Sequence, residues 1–379
     1  MAEPIITTVI PTFRRPILLK RAIESVLAQS FRDLVVCVYD NASGDETEAI
    51  VRAFAERDSR VFYYKNSMNI GAVANITQGL RAVTTPYYSL LSDDDFLLPD
   101  FYENAVKAYK SFPSARFVCS KTIVIDLIDK KLQFRNQDWL PGIYEPSHEI
   151  VSKMHSSHFV STGVLFSKHL RETIGIFEPS GSDTLYMTIA AATFPFVVLN
   201  NYGAAVILHE NAYSMVEGGI AKESVSALYE RLLSSVGNVM SMDFPPEMKV
   251  HLLLQIITSY NQYFDTKKLN SLLSETQEVE MGNLALLPSL ISTRGLLIRF
   301  FSLFSKRIYL LLARHFNLVE IIKKITAYIK RIKHRKLGSR WVDLPTEAYS
   351  LLKSFDSDVS KLMSHIRKTS KHNQDGSEG

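Results

Sequence analysis

The sequence predicts an α/β protein: a mostly parallel sheet flanked by helices, then a mixed segment, then a mainly α-helical C-terminal region. Three observations carry this. Short β-branched runs alternate with amphipathic stretches over roughly the first hundred residues, the order that builds parallel sheets with helices on both faces. Each of three runs ends in a polar cluster, Thr12–Arg15, Asp40–Asp45 and Ser92–Asp95. Ligands of such sheets bind at the carboxyl ends of the strands. The composition, 46% hydrophobic and 22% charged over 379 residues, is globular, with room for two or three domains at roughly 100–200 residues each.

Ile5–Ile10 is a β-branched run stopped by Pro11, a buried strand. Within Ile17–Gln29, Leu18, Leu19, Ala22, Ile23, Val26 and Leu27 fall at helical spacing. Leu34–Tyr39 is a second strand, and Asp40–Asp45 a turn. A helix over Thr47–Glu56, a strand at Arg60–Tyr64, a helix at Ala72–Ala82 and a strand at Tyr87–Leu91 complete the alternation. A helix at Phe101–Ser111, strands near Arg116–Asp126, a long loop through Trp139 and a helix around Ser182–Ala192 are expected next. Strands at Phe196–Leu199 and Ala204–His209 follow. The domain expectation is therefore residues 1–215, in halves 1–110 and 111–215, a helical region 216–367, and a polar, disordered tail 368–379.

Two cysteines, Cys37 and Cys119, make no disulfide framework and point to a reducing compartment. The N-terminus has no basic run and meets Pro11 early, against a signal peptide. No uncharged apolar stretch reaches the length of a membrane span. The net charge of +4 is uneven: Arg294–Arg340 holds thirteen Lys and Arg against one acid, Glu320, so this strip carries +12 and the rest of the chain −8. Leu297, Phe300, Phe304, Ile308 and Leu311 share one helical face there, and Leu318, Ile321, Ile325, Ile329 and Ile332 another, beside Lys323, Lys324, Lys330, Arg331 and Lys333. Basic amphipathic helices of this kind fit an anionic membrane interface. A basic face on a docked helix pair, or a dimer contact, has the same pattern. Nucleic acid is disfavoured, because no aromatic-interleaved basic groove or reading motif is present.

The first turn, Pro11-Thr12-Phe13-Arg14-Arg15, has no glycine, which argues against a dinucleotide fold. Asp40, ending the second strand, can accept hydrogen bonds from a nucleobase N–H or a ribose hydroxyl. Three adjacent aspartates, Asp93–Asp95, repel one another unless a cation or ligand hydroxyls neutralise them. Hard oxygen ligands suit Mg²⁺ or Mn²⁺. The same turn also suits a solvated helix cap.

Taken together, Val9–Arg15, Asp40–Asp45, Asn69-Ile70-Gly71 with Asn75, and Ser92–Asp95 followed by Pro99-Asp100 resemble the family 2 glycosyltransferases of GT-A fold. The resemblance is close over about 110 residues and looser to about residue 215. It implies an inverting sugar transfer from a nucleotide sugar, UDP-linked by preference, with Mn²⁺ or Mg²⁺, onto a glycan or lipid-linked acceptor. On this likeness Pro11, Thr12, Phe13 and Arg14 lie beside the nucleoside and diphosphate, Asp40 recognises the base, and Asn69, Gly71 and Asn75 pack on the nucleotide. The aspartate register stays open: alignment on Pro99 puts Ser92 at the first acid of the motif, whereas alignment on the DxD itself selects Asp93 and Asp95. Asp95 or Asp94 is then expected to bind metal, and Asp93 or Asp94 the ribose, with Asp93 also in the metal cluster. His209 matches a histidine found near metal or diphosphate.

Ser161–Phe166, Ile174–Phe177 and Ser182-Asp183 resemble the acceptor half, with Asp183 at the position of the general base and Ser182 beside it. A carboxylate there would take the proton from the attacking hydroxyl. Trp139, in a polar loop near Pro141 and Gly142, is an acceptor-side candidate for stacking on a sugar. The expectation is a cytoplasmic enzyme, peripheral on the cytoplasmic face of a membrane, that builds surface polysaccharide or glycolipid. A degenerate binding protein of the same fold and a nucleotidyltransferase are the alternatives. Joint retention of Asp40, the aspartates and Asp183 opposes the first, and the glycine-free turn the second.

Overall fold

The structure is a computed structural model; it describes residues 3–176, 182–210, 341–343 and parts of 235–256. The chain divides into two compact units, Met1–Gly219 with Ser339–Gly379, and Ile220–Gly338. The basic strip, the tail and most of the expected helical region lie outside the described residues. Those of the second unit between 235 and 256 are mainly helical.

The first unit is built on one sheet. β1 (Ile6–Thr12), β2 (Leu34–Asp40), β3 (Val61–Lys65) and β4 (Tyr87–Leu90) run parallel in the spatial order β3-β2-β1-β4. The chain moves outward from β1 to β3, then returns to the other side of β1 for β4. The change of direction opens a crevice between the carboxyl ends of β1 and β4, where α/β sheets bind ligands. β4 pairs with β1 only from Ile6 to Val9. Beyond Val9 only β2 remains as a neighbour, so Pro11 fits within β1, and the strand continues to Thr12 rather than stopping at Pro11 as expected.

The intervening helices are α1 (Pro16–Leu27), α2 (Thr47–Arg57) and α3 (Ala72–Ala82). Next come β5 (Phe96–Leu97), α4 (Phe101–Ser111), β6 (Phe117–Asp126), β7 (Lys131–Phe134), β8 (Gly142–Tyr144), α5 (His148–Ser156), β9 (Val164–Ser167), α6 (Lys168–Ile174), α7 (Ser182–Thr193), β10 (Phe196–Leu208) and β11 (Trp341–Asp343). β9 is antiparallel to both β4 and β6, which continues the sheet past β4. Two apolar layers sandwich it. Leu19, Ile23, Val51, Phe101 and Tyr109 fill one side, and Leu80, Trp139, Met154, Phe159 and Phe166 the other.

The described residues depart from expectation elsewhere too. The long loop through Trp139 holds β7, β8 and α5. The two strands expected at 196–209 are one strand, β10, with a register shift around Tyr202. Asn200–Gly203 resembles a turn in sequence, but Gly203 is there for packing: a Cβ would lie 2.6 Å from Phe101 Cδ2 and from Ser120 Cβ. Finally, Trp341–Asp343, placed by sequence in the helical region, pairs antiparallel with β7 as an added strand. Among the described residues no helix is long and apolar enough to cross a membrane.

Candidate active site

The residues after β1, β2 and β4 converge at the crevice. Arg14 takes a left-handed backbone, φ 55°, with its N–H donating to Ser43 Oγ (2.8 Å) and its Nε to Ser43 O (3.2 Å). The loop after β1 is thereby tied to the turn after β2. Phe13 stands exposed beside the Arg14 guanidinium.

Asp40 is buried. Its Oδ1 accepts from Ser43 N (2.9 Å) and its Oδ2 from Tyr63 OH (2.6 Å). Burial and the Asp40 carboxylate together push the Tyr63 phenol well above its ordinary range. A carboxylate has about four acceptor sites, so Asp40 retains acceptor capacity after holding its own turn. Asn69 Oδ1 accepts from Asn41 Nδ2 and Gly71 N, while Ile70 N donates to Asn41 Oδ1. Gly71, at φ 86°, begins α3 in a conformation that side chains rarely adopt. Asn75 differs from its expected role against a nucleotide. It is buried, donates to Tyr39 O and accepts from Asn66 Nδ2, so its amide pins the end of β2.

The three aspartates have three environments. Asp93 accepts from Thr12 Oγ1 (2.8 Å) and pairs with Arg15 Nη1 (3.0 Å). Burial, then the neighbouring Asp94, push it up to about 6. Asp95 accepts from Thr162 Oγ1 (2.7 Å) and from Ile207 N of β10 (3.0 Å). Burial and Asp94 raise it well above the carboxylate range. Of the two aspartates expected to bind metal this favours Asp94, because Asp95 is 4% exposed and both its oxygens already accept from the protein. Asp94 is the outlier. Burial acts to raise it, but the His209 hydrogen bond and the Arg15 charge outweigh burial and hold it below the ordinary value. Its Oδ2 lies 2.8 Å from Arg15 Nη1 and 3.3 Å from His209 Nε2. Asp94 is thus the member of the turn whose charged form the surroundings favour most.

Helix α1 holds this turn from behind. Arg21 and Ser25 on its buried face, and buried Gln29 two residues past its end, recur every four residues. Arg21 Nη2 donates to Asp94 O (2.6 Å), Ser25 Oγ accepts from Leu97 N (3.1 Å), and Gln29 bonds Leu98 O (2.7 Å) and Tyr102 N (3.1 Å). Ser30 N donates to Pro99 O (3.0 Å) at the end of the same stripe. Sequence reasoning missed Arg21, Tyr63 and this stripe, and placed Thr162 only within the acceptor-side motif Ser161–Phe166; polar residues recurring every four positions among apolar ones were the available signal for the stripe. It also left Arg15 without a site role.

Ser182 and Asp183 are the first two residues of α7; their side chains lie outside the described residues. Trp139 is corrected. It is fully buried, its indole N–H donates to Ser157 O (2.8 Å), and Tyr144, Phe159 and Phe196 surround it, leaving no face for a sugar.

A divalent ion fits the pair Asp94–His209: one ionised carboxylate oxygen and one imidazole nitrogen, oxygen and nitrogen donors of the kind Mn²⁺ accepts. Among the described residues no group of three or more His, Cys, Asp or Glu is arranged to hold a metal. Two protein ligands, with phosphate oxygens and water completing the shell, is the common arrangement for such ions at nucleotide sites.

A mixed sheet with nucleotide-side loops at its switch point and an aspartate turn after β4 is the GT-A architecture of the glycosyltransferases. Residues 7–175 match the family described as glycosyl transferase family 2, and this stretch is a domain of that family. The chain is 35% identical over 96 residues to the GalNAc(5)-diNAcBac-PP-undecaprenol beta-1,3-glucosyltransferase of Campylobacter jejuni, covering 25% of this chain and 31% of that enzyme. It is 26% identical over 239 residues to chondroitin synthase of Escherichia coli, 62% of this chain and 33% of the synthase. The chain therefore spans about a third of the length of these curated relatives. In fold it resembles S. aureus TarS 1–349, solved in complex with UDP-GlcNAc, at a TM-score of 0.55 and 15% identity over 72% of this chain and 76% of that one.

Proposed function

We propose that this chain is a metal-dependent, inverting glycosyltransferase that takes a sugar from a nucleotide donor, UDP-linked by preference, to a glycan or lipid-linked acceptor. The observation that carries the reading is the approach of Asp94 Oδ2 to His209 Nε2, 3.3 Å apart at the switch-point crevice. Asp94 and His209 would hold Mn²⁺ or Mg²⁺. Such an ion, when bound, neutralises charge growing on the departing diphosphate. Asp40 and the Asn41–Asn69 pair line the base side, and Thr12 orients Asp93 toward the ribose side. Asp183 takes the proton from the acceptor hydroxyl as it attacks from the face opposite the diphosphate. The UDP preference is supported by the nucleotide sugar in the TarS structure, and the lipid-linked acceptor by the name of the Campylobacter relative.

The direct test is a donor panel. Incubated with nucleotide sugars, the protein should release nucleoside diphosphate with Mn²⁺ or Mg²⁺ and stop in EDTA. Undiminished turnover in chelator would remove the metal from this reading.

We further propose attachment to the cytoplasmic face of a membrane through the basic strip. Each Lys or Arg near an anionic surface contributes about 1 kcal/mol, and salt screens that attraction. Sedimentation with anionic vesicles should therefore fall with rising salt. It should also fall on changing Lys323, Lys324, Lys330, Arg331 and Lys333 to Gln, with donor hydrolysis preserved. Wild-type protein that stays in the supernatant at low salt would overturn the attachment.

A further inference from the structure

We infer that Arg15 is a displaceable counter-ion: its guanidinium neutralises Asp93 and Asp94 in the metal-free site, and leaves Asp94 when metal and donor bind. The inference rests on the metal-dependent reading above and adds a role for a residue that reading does not use.

The geometry is that of a bridging cation. A single nitrogen, Nη1, lies 3.0 Å from Asp93 Oδ1 and 2.8 Å from Asp94 Oδ2, so one positive centre joins the carboxylates of two residues. Charge gives a reason for this occupant. Three adjacent carboxylates cannot all remain ionised in a buried turn without compensation. Arg21 supplies one fixed positive charge from below; it is 3% exposed and bonded to the Asp94 carbonyl. Arg15 supplies a second from above, and its side chain is 21% exposed. The two arginines thus differ in what they can do. Arg21 is enclosed, whereas Arg15 stands at the mouth on the residue just before α1, next to the left-handed Arg14.

Displacement follows from the shared oxygen. Asp94 Oδ2 contacts both Arg15 Nη1 (2.8 Å) and His209 Nε2 (3.3 Å). A divalent ion held by Asp94 and His209 would stand within a few ångströms of the guanidinium, and at short range in a partly buried site the repulsion is strong. The guanidinium must leave that oxygen. Its loop already borders the nucleotide side, where a diphosphate offers the planar, bidentate oxygen pairs that arginine matches. Metal and nucleoside diphosphate then bind with positive coupling: the ion evicts Arg15, and the diphosphate receives it.

The test measures Mn²⁺ binding directly, by the loss of the free-ion paramagnetic resonance signal, on wild type, Arg15→Gln and Arg15→Lys, with and without UDP. Arg15→Gln should bind Mn²⁺ alone about tenfold or more tightly than wild type, and UDP should tighten its Mn²⁺ binding less than it does for wild type. Metal-free Arg15→Gln should melt lower than wild type and recover more on adding Mn²⁺. Arg15→Lys, which keeps the charge, should stay close to wild type. Equal or weaker Mn²⁺ binding by Arg15→Gln overturns the inference while leaving the metal reading in place. Absence of Mn²⁺ binding by wild type both with and without UDP overturns the metal reading and this inference with it. A second measurement needs no variant. Mn²⁺ should speed phenylglyoxal modification of Arg15 in the wild-type protein, mapped by mass spectrometry, and an unchanged or slower rate overturns the displacement.

Discussion

Asp94→Asn is expected to abolish Mn²⁺ binding and to lower sugar transfer by about 10³-fold or more, as losing several kcal/mol of charge stabilisation at the leaving group requires. The amide keeps the shape of the turn but offers no negative oxygen to the ion. The neighbouring substitution separates this role from a merely structural one. Asp95 accepts from Thr162 Oγ1 and Ile207 N with its two oxygens. An amide oxygen can still accept from Ile207 N, while the amide nitrogen facing Thr162 Oγ1 makes that hydroxyl the acceptor. Asp95→Asn should therefore cost about 1–3 kcal/mol of stability, the loss of charge assistance in two buried hydrogen bonds, while the folded fraction still binds Mn²⁺. Thermal unfolding beside Mn²⁺ titration of both variants checks the assignment. If Asp95→Asn loses the ion and Asp94→Asn keeps it, the register is the other one.

Asp183→Asn is expected to leave donor binding nearly intact and to lower kcat by about 10²–10⁴-fold, the usual contribution of a positioned general base. The side chain keeps its size at the start of α7 but cannot take a proton. The change should fall on kcat more than on the donor KM, because the base acts on the acceptor. Steady-state kinetics with donor and acceptor varied separately gives the answer. Turnover close to wild type would move the base to another carboxylate, with Glu178 or Glu210 the next candidates.

The elements legible in the sequence are those with a period of their own. β1 through β4 and α1 through α4 each show alternation, an apolar run or a helical stripe within a dozen residues, and the structure contains all of them. β5, β8 and β11 span two or three residues and are strands only because β10 or β7 lies alongside. No local pattern announces such pairing. β10 reads as two strands because Asn200–Gly203 has turn residues, and only the approach of Phe101 and Ser120 shows what Gly203 does.

The site divides in the same way. Thr12, Asp40 and Asp93–Asp95 stand out because the topology of a parallel sheet by itself assigns ligand contacts to polar loops at the carboxyl ends of its strands. Which aspartate faces the crevice depends on Thr162, His209 and the Ile207 amide, each at least 67 residues away in sequence. Trp139 lies in a stretch rich in polar and turn residues, and its burial comes from β8, α5 and Phe196 closing over it.

The buried stripe on α1 also limits how this chain can vary in length. Arg21 and Ser25 reach the segment 94–102 only because they lie one above the other on a helix that turns about 100° per residue, and Gln29 follows two residues past its end. Inserting or deleting a single residue between Arg15 and Arg21 would rotate that stripe by about 100° relative to the loop carrying Thr12 and Arg15. Either the aspartate turn would lose its anchors, or the loop would lose its aim. Side chains on the outer surface of α1 can be exchanged one at a time, but the count of residues in the helix is fixed by two loops that it serves at once. Among descendants of this sequence, gaps should collect in the segments after α4 and spare the stretch from Thr12 to Ser30.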